Sequence, residues 1–220
     1  MLKFFYSPGA CSLAAHIVLQ ESGEPYEAIR IDLSKGEQRT PEYLRIHPLG
    51  RVPVLLFEDG EPLAENTAIL PYLGKRFGLW PTGDRAEARA LSIIGFFATS
   101  VHPVLAHIGR ASRYATDAAC QQHVQEVARS TVMDYLREAD ALLEGREWFG
   151  GQYSVLDPYG FFFYNWAARK SGAPVRELKN YAAFNERMLA RPAVRQVLEE
   201  EGIPPAERMR VDALPPTNTH

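Results

Sequence analysis

Residues 2–12 read Leu2-Lys3-Phe4-Phe5-Tyr6-Ser7-Pro8-Gly9-Ala10-Cys11-Ser12, a strand-like run that passes through a turn into a helical one. The run at 2–6 is apolar and aromatic, as in a buried strand, and the Ser, Pro and Gly after it are typical of a turn. Apolar spacing predicts a helix from about Ser12 to Glu21 and a second strand at 26–31. This order predicts a parallel strand pair with a right-handed crossover.

The next segments complete an α/β pattern. A short helix is predicted at 41–47, and strands at 52–57 and 61–64 are joined by the tight turn Glu58-Asp59-Gly60. A further helix is predicted at 65–77. The order strand, helix, strand, helix, strand, strand, helix is that of the thioredoxin fold. We therefore expect residues 1–76 to form a thioredoxin-like domain.

The rest of the chain is predicted to be all-helical. A linker with Pro and Gly is expected at 77–86, a helical bundle at 87–203 and a tail at 204–220. Two long helices are predicted from apolar residues at spacings of three and four, namely Leu91, Ile94, Ala98, Val101, Leu105 and Ile108, and then Val124, Val127, Val132, Leu136, Ala139 and Leu143. Pro103 is expected to kink the first of them. Shorter helices are predicted at 154–168, at 175–189 and from Pro192 onward.

Charge and composition exclude several function classes. The chain has 220 residues, a formal net charge of -3 and no long Lys/Arg run, so neither nucleic acid nor an anionic membrane is an expected partner. No signal peptide is apparent, and no uninterrupted apolar stretch approaches the length of a membrane span. The two cysteines do not suggest a disulfide framework. We expect a cytoplasmic protein.

The two cysteines are expected to differ in reactivity. Cys11 lies where a strand turns into a helix, and the dipole and free N–H groups at a helix N-terminus favour a thiolate and lower a cysteine pKa. The alternative is that Cys11 or Ser12 only caps the helix. Cys120 lies within a helical stretch, where a small and inert residue is expected.

Two further motifs suggest a binding site for a peptide-like ligand. If the Val52-Pro53 bond is cis, the backbone of Val52 can pair with an extended ligand, whereas a trans bond would make it an ordinary strand start. Glu65-Asn66-Thr67 begins a helix, whose free N–H groups bind carboxylates while Glu65 can bind an ammonium group. The alternative is an ordinary helix cap.

The order and spacing of these three motifs resemble the cytosolic glutathione transferases. The stretch Gly9-Ala10-Cys11-Ser12-Leu13 is most similar to their bacterial beta class, and the resemblance extends from Met1 to about Leu198. It includes the family's capping box, Ser154-Val155-Leu156-Asp157, and Arg191-Pro192-Ala193-Val194. The resemblance implies glutathione as co-substrate, no metal, a homodimer and a small hydrophobic electrophile as second substrate.

The resemblance also assigns binding residues. Val52, with cis Pro53, would pair with the cysteinyl backbone of glutathione, and Glu65 and Asn66 would hold its γ-glutamyl end. Asn66 stands where serine is common. Lys35 matches a family position that can reach the glycyl carboxylate, with a solvated loop lysine as the alternative. Arg51 stands where the family often has a polar amide and would add positive charge at the same end.

Four residues are candidates for catalysis by this resemblance: Cys11, Ser12, Tyr6 and His102. Cys11 would lie nearest the glutathione sulfur, Ser12 would donate to it, and Tyr6 is a second possible donor. His102 matches a helix histidine near the glutathione site, and its alternative is a structural histidine. Pro103 stands where the family often has a lysine, which removes a cation.

The expected activity is conjugation of glutathione to hydrophobic electrophiles, with thiol-disulfide exchange through Cys11 as a further possibility. The alternatives are a glutathione-dependent reductase or dehalogenase, or a non-catalytic ligand-binding relative. Aromatic residues that could line the second site, or else belong to the core, are Phe96, Phe97, His107, Tyr114, Phe161, Phe162 and Tyr164.

Overall fold

The computed structural model describes residues 1–203, and the tail expected at 204–220 lies outside the described residues. One four-stranded sheet has the order β2-β1-β3-β4. Its strands are β1 (Leu2–Tyr6), β2 (Tyr26–Arg30), β3 (Val54–Leu56) and β4 (Pro62–Ala64). The pair β1–β2 is parallel, and β3 runs antiparallel to both β1 and β4. The predicted strand-helix-strand unit is therefore confirmed.

Helices pack on this sheet and continue into a helical bundle. In chain order they are α1 (Ser12–Ser22), α2 (Pro41–Ile46), α3 (Asn66–Phe77), α4 (Asp84–Phe96), α5 (His102–Gly109), α6 (Ala118–Ala141), α7 (Leu156–Lys170), α8 (Lys179–Ala190) and α9 (Pro192–Glu200). A thioredoxin-like α/β part followed by an all-helical part is the architecture predicted from the sequence.

The helix around Pro103 accommodates the proline without ending. A π-helical segment, Phe97–Val101, joins α4 to α5 directly before Pro103. Proline lacks an N–H group, and its ring collides with the carbonyl four residues earlier in a regular α-helix. The wider π turn relieves that collision, so the irregularity expected at Pro103 lies in the turn before it.

The combined helix Asp84–Gly109 is long enough to cross a membrane and contains an 18-residue window with a mean hydropathy of 1.6. Residues 90–109 contain no Asp, Glu, Lys or Arg, although Ser, Thr and His interrupt the apolar residues, as expected from the sequence. Ile94, Phe97 and Leu105 are buried in the core. Part of the apolar composition of this helix therefore serves internal packing.

Two of the apolar residues whose spacing predicted the long helices lie outside the core. Leu91 is 53% exposed and Val127 is 50% exposed. Apolar residues at spacings of three and four form a stripe along one side of a helix. This stripe is wider than the surface that a neighbouring helix covers, so residues at its edges stay exposed to solvent.

The alternation of side chains along β1 gives the sheet two packed faces. Phe4 and Tyr6 belong to the main core with α1 and α3, whereas Phe5 packs with Ile31 and Tyr43 on the opposite face. Helix α1 contacts α3 on the α/β side and α7 and α9 on the helical side. The start of α1, with Cys11, therefore lies where the two parts of the chain meet.

The capping residues predicted for the helical part make the expected bonds at α7. One oxygen of Asp157 accepts from the Ser154 backbone N–H at 2.7 Å, and the Ser154 hydroxyl accepts from the Leu156 N–H at 3.3 Å. The second oxygen of Asp157 accepts from the Phe149 N–H at 3.0 Å, which was not foreseen. The buried carboxyl thereby joins the preceding loop to α7.

Candidate functional site

Ser12 closes the loop that carries Cys11. Its Oγ accepts from the Ser7 backbone N–H at 3.2 Å and donates to the Ser7 carbonyl at 3.1 Å. The side chain is fully buried. Because the hydroxyl proton is already used within the loop, the expectation that Ser12 donates to the glutathione sulfur is not supported by the geometry. Ser12 holds the turn between β1 and α1.

A second anchor of the same loop comes from the far end of the chain. The Gly9 N–H donates to Glu201 Oε2 at 2.8 Å, and Glu201 Oε1 lies 2.8 Å from His16 Nδ1. Both His16 and Glu201 are buried. The residue just after α9 therefore helps to hold the loop before Cys11, a role that the sequence reasoning missed.

The Cys11 thiol is half-buried and faces the Val52 carbonyl, with Sγ and O 3.7 Å apart. Burial raises the pKa of Cys11 to about 11, against the lowering effect of the charges on Arg110 and Arg51. The expectation of a lowered Cys11 pKa is therefore wrong for the ligand-free protein. Loss of hydration penalises the thiolate more than these charges and the helix end stabilise it.

Cys120 does not lie in the middle of a helix. It is in the first turn of α6, exposed, and its backbone N–H donates at 2.8 Å to the capping carboxylate of Asp117. The nearby Asp117 raises the pKa of the Cys120 thiol. The sequence analysis placed Cys120 inside the helix and not in its first turn, because it did not locate the start of α6.

From these environments we expect the opposite of the order of reactivity predicted from the sequence. With a pKa of about 11, roughly one Cys11 thiol in ten thousand is ionised at pH 7, and the thiol is half-buried. We expect brief alkylation of the ligand-free protein at neutral pH, followed by peptide mass mapping, to label Cys120 before Cys11. In a Cys120→Ser control, labelling should be slow and should accelerate as the pH rises. Faster labelling of Cys11 in the native protein would contradict the burial argument.

Gly50 fixes the approach to Val52. Its φ is 58°, and a Cβ there would lie 2.4 Å from the Gln38 carbonyl oxygen, so only glycine fits. The Tyr43 hydroxyl donates to the Arg51 carbonyl at 2.6 Å. The Val52-Pro53 bond is cis, as the resemblance implied. Tyr43, on α2, thus helps to position the backbone beside the Cys11 thiol.

Glu65 and Asn66 offer two free acceptors at the start of α3. Glu65 has φ 69°, the positive-φ conformation that costs a non-glycine residue free energy and is often found at functional sites. Its carboxylate is exposed and makes no ion pair within residues 1–203. The buried Asn66 donates from Nδ2 to the Cys11 carbonyl at 2.9 Å, while its Oδ1 has no hydrogen-bond partner among the described residues.

Lys35 and Tyr6, two of the predicted site residues, make contacts other than those expected from the sequence. The Lys35 side chain is 74% exposed and pairs with Asp32 at 3.5 Å, the environment of a solvated loop lysine. The Tyr6 ring is buried and packs against His16, with centroids 4.8 Å apart. Burial, and next the charge of Glu201, raise the pKa of Tyr6. No hydrogen bond joins Tyr6 to Cys11 within the described chain.

In the helical part, His102 and Arg110 lie against the same ring, that of Trp166. The His102 ring meets Trp166 edge-on, with centroids 5.2 Å apart. The Arg110 guanidinium lies over Trp166, 5.7 Å from the ring centroid. Burial first, and then the charges of Arg110 and Arg51, lower the pKa of His102 to about 4, so the imidazole is neutral at pH 7.

The aromatic residues considered for the second-substrate site fall into two groups. The buried ones, which belong to the core, are Phe97, Phe161, Phe162 and Tyr164. The ones that reach solvent at least in part are Phe96, His107 and Tyr114. Within residues 1–203, no group of His, Cys, Asp and Glu side chains could hold a metal ion.

Comparison with known proteins gives a consistent picture. The family model "Glutathione S-transferase, N-terminal domain" matches residues 9–76. Glutathione S-transferase GST-4.5 of Xanthomonas campestris is 34% identical over 207 residues, which cover 92% of this chain and 100% of the relative.

Solved structures agree over the same length. A glutathione transferase homologue from Sulfitobacter with bound glutathione has a TM-score of 0.86 and 30% identity, covering 93% of this chain and 99% of that one. The beta-class glutathione S-transferase of Sphingomonas chungbukensis has a TM-score of 0.81 and 31% identity, covering 92% of this chain and 100% of that one. The chain therefore belongs to the glutathione S-transferase family and is a glutathione transferase, as the resemblance implied.

Proposed function

We propose that glutathione binds with its γ-glutamyl end at the start of α3. The observation that carries this proposal is the pair of free acceptors there, the Glu65 carboxylate and the buried, unpartnered Oδ1 of Asn66. An ammonium group can donate to both. The backbone N–H groups at the start of a helix suit the neighbouring carboxylate. An amino-acid moiety carries an ammonium group and a carboxylate, so in one orientation it can bind both the acceptors and the N–H groups of the site.

In this orientation the cysteinyl part of glutathione runs along Val52. Its backbone would pair with the backbone of Val52, next to Pro53, and its sulfur would lie beside Cys11, whose thiol is 3.7 Å from the Val52 carbonyl. Arg51 supplies positive charge toward the glycyl carboxylate. Lys35 can serve the same carboxylate only by leaving its ion pair with Asp32.

The reaction that follows is conjugation to a small hydrophobic electrophile. The glutathione thiol gives its proton to solvent, the thiolate electron pair forms the new bond to carbon, and the leaving group departs with its own electrons. The protein contributes by holding the sulfur beside the electrophile and by favouring the thiolate. Because its pKa is about 4, His102 is neutral at pH 7 and offers a ring nitrogen without charge.

A second activity, thiol-disulfide exchange, is supported by the position of Cys11 on the wall of this site. A thiol beside the bound sulfur can form a mixed disulfide with glutathione. A reductase can therefore share the binding site of the transferase.

The remaining organisation is inferred from the same family. Residues 1–76 would bind glutathione, 77–86 would form the linker, and 87–203 would shape the second site. A cytoplasmic homodimer is proposed, and the exposed apolar residues Leu91 on α4 and Val127 on α6 are suited to a subunit interface.

Glu65→Gln tests the proposed orientation of glutathione. The change keeps the size of the side chain but removes the charge that pairs with the ammonium group, so we expect about 2 kcal/mol less binding energy, or about 30-fold weaker affinity, by calorimetry. Glu61→Gln, another exposed glutamate close in sequence, is the matched control and should bind normally. A folded Glu65→Gln variant with unchanged affinity would rule out this orientation.

A further inference from the structure

We propose that Tyr43 is a positioning residue for glutathione: its hydroxyl holds the Arg51 carbonyl and thereby directs the Val52 N–H toward the backbone of the bound cysteinyl unit. The inference rests on the proposed function and deepens it, because it names the group that orients one of the hydrogen bonds to the ligand. Tyr43 acts through the backbone of Arg51 and Val52 and not through a contact of its own with glutathione.

The Tyr43 hydroxyl is fixed in place by the packing of its own side chain. The residue is only 3% exposed, and its ring meets Phe5 of β1 edge-on, with centroids 5.7 Å apart. Its backbone N–H donates to the Thr40 hydroxyl at 3.3 Å, which caps α2. Burial raises the pKa of Tyr43, so at neutral pH the hydroxyl keeps its proton and donates it to the Arg51 carbonyl at 2.6 Å. A donor that cannot move leaves this carbonyl one favourable direction.

The direction of the Arg51 carbonyl also sets the direction of the Val52 N–H. Both groups belong to one planar peptide unit, which is trans, and in a trans unit the C=O and N–H bonds point in opposite directions. The Val52 N–H therefore points away from the Tyr43 hydroxyl. Within residues 1–203 it has no hydrogen-bond partner. A free donor at this position suits an extended peptide that pairs as an added strand.

The loop around this peptide unit is anchored by other contacts. Arg39 Nη1 donates to the Leu49 carbonyl at 3.3 Å, and the close fit at Gly50 holds the next residue. Among the described residues, however, the Tyr43 hydroxyl is the only hydrogen-bond donor to the Arg51 carbonyl. Removing this hydroxyl should therefore leave the loop in place and free a single peptide unit to rotate.

The consequence for function is a binding site that is organised before the ligand arrives. A donor already directed at the ligand needs no ordering when glutathione binds, whereas a rotating peptide unit must be ordered at that moment. The chemistry at sulfur is unaffected, because Tyr43 neither gains nor loses a proton in the reaction. We therefore expect the Tyr43 hydroxyl to contribute to glutathione affinity and not to turnover.

The test is Tyr43→Phe, which removes the hydroxyl and keeps the ring. We expect the affinities for glutathione and S-methylglutathione to fall about tenfold by calorimetry, and KM for glutathione to rise by the same factor, with kcat within about twofold of wild type. Replacing Tyr43 by para-aminophenylalanine restores a donor and should recover most of the affinity. The matched control is Tyr26→Phe, which removes a hydroxyl that donates to Gln20 Oε1 at 3.3 Å in the same α/β part and should bind normally.

Amide hydrogen exchange at Val52 reports the proposed orientation directly. In the wild type, S-methylglutathione should slow exchange of the Val52 N–H about tenfold. In Tyr43→Phe, at equal saturation with the ligand, most of this protection should be lost. The N–H of Leu55, in the buried strand β3, should exchange at the same rate in both proteins.

Each outcome separates this inference from the proposed function. Unchanged affinity of a folded Tyr43→Phe variant overturns the role of Tyr43. So does a Val52 N–H that the ligand leaves unprotected in the wild type, a measurement that needs no variant. A lower melting temperature than that of Tyr26→Phe, with affinity not recovered by para-aminophenylalanine, overturns it too, because Tyr43 would then only stabilise the fold. If the wild-type protein binds neither glutathione nor S-methylglutathione, the proposed function itself fails.

Discussion

Replacing Asp157 by alanine is expected to lower the melting temperature of the protein by about 6 to 12 °C, from about 3 kcal/mol of lost stability. The carboxyl accepts from the backbone N–H groups of Phe149 and Ser154. Both donors are in the loop before α7, a helix buried over most of its length. Without the acceptor, two N–H groups stay buried and unpaired, at about 1 to 3 kcal/mol each.

Because the Asp157 carboxyl is itself buried, the net loss of stability is smaller than the summed cost of leaving the two N–H groups unpaired. Burial raises the pKa of Asp157 to about 7, which shows that the carboxylate itself is unfavourably placed. Asp157→Asn keeps one acceptor oxygen and should lose less stability than Asp157→Ala. Asp134→Ala, at an exposed carboxylate paired with Arg137, is the control and should melt normally. Equal melting temperatures for Asp157→Ala and wild type would contradict the capping role.

Local sequence patterns were sufficient for the α/β framework. The strand at Leu2–Tyr6 was predicted with its observed bounds because four of its five residues are apolar or aromatic, as is typical of a buried strand. The strand predicted at 52–57 is only Val54–Leu56, since pairing with β1 and β4 is confined to these three residues. Boundaries depend on tertiary contacts more than the presence of an element does.

The electrostatic part of the site could not be derived in the same way. A helix N-terminus predicts a lowered cysteine pKa, but the actual value depends on how far the folded chain removes Cys11 from water. Likewise, Ser12 was assigned to the sulfur because its hydroxyl is next to Cys11. Its donation to the Ser7 carbonyl became evident only once the turn geometry was known.

Two contacts that the sequence reasoning missed join distant parts of the chain. Glu201 contacts the loop at Gly9 across a separation of 192 residues. Arg110 lies over the ring of Trp166 because α5 and α7 pack against each other. Neither contact leaves a local pattern in a single sequence, since the first depends on how α1 packs against α9 and the second on how α5 packs against α7.

Replacing Cys11 by alanine is expected to abolish turnover of glutathionyl mixed disulfides while conjugation to an aromatic electrophile persists within about tenfold. In exchange, the Cys11 thiolate attacks the glutathionyl sulfur and releases the other thiol as its thiolate. A second glutathione thiolate then attacks the Cys11–glutathione disulfide, which yields glutathione disulfide and restores Cys11. Conjugation needs only the glutathione thiolate, so it does not depend on this sulfur.

The high pKa of Cys11 adds a pH signature to this prediction. Below its pKa of about 11, each unit of added pH raises the Cys11 thiolate fraction about tenfold, so wild-type exchange should climb steeply from pH 7 to 9. The rates of exchange and of conjugation should be measured over that pH range. Cys120→Ala is the control and should leave both rates unchanged. Ser12→Ala should lower both rates together, since it loosens the loop rather than removing a sulfur ligand. Exchange retained in Cys11→Ala would exclude the covalent route, because no other cysteine lies beside the bound glutathione in the proposed site.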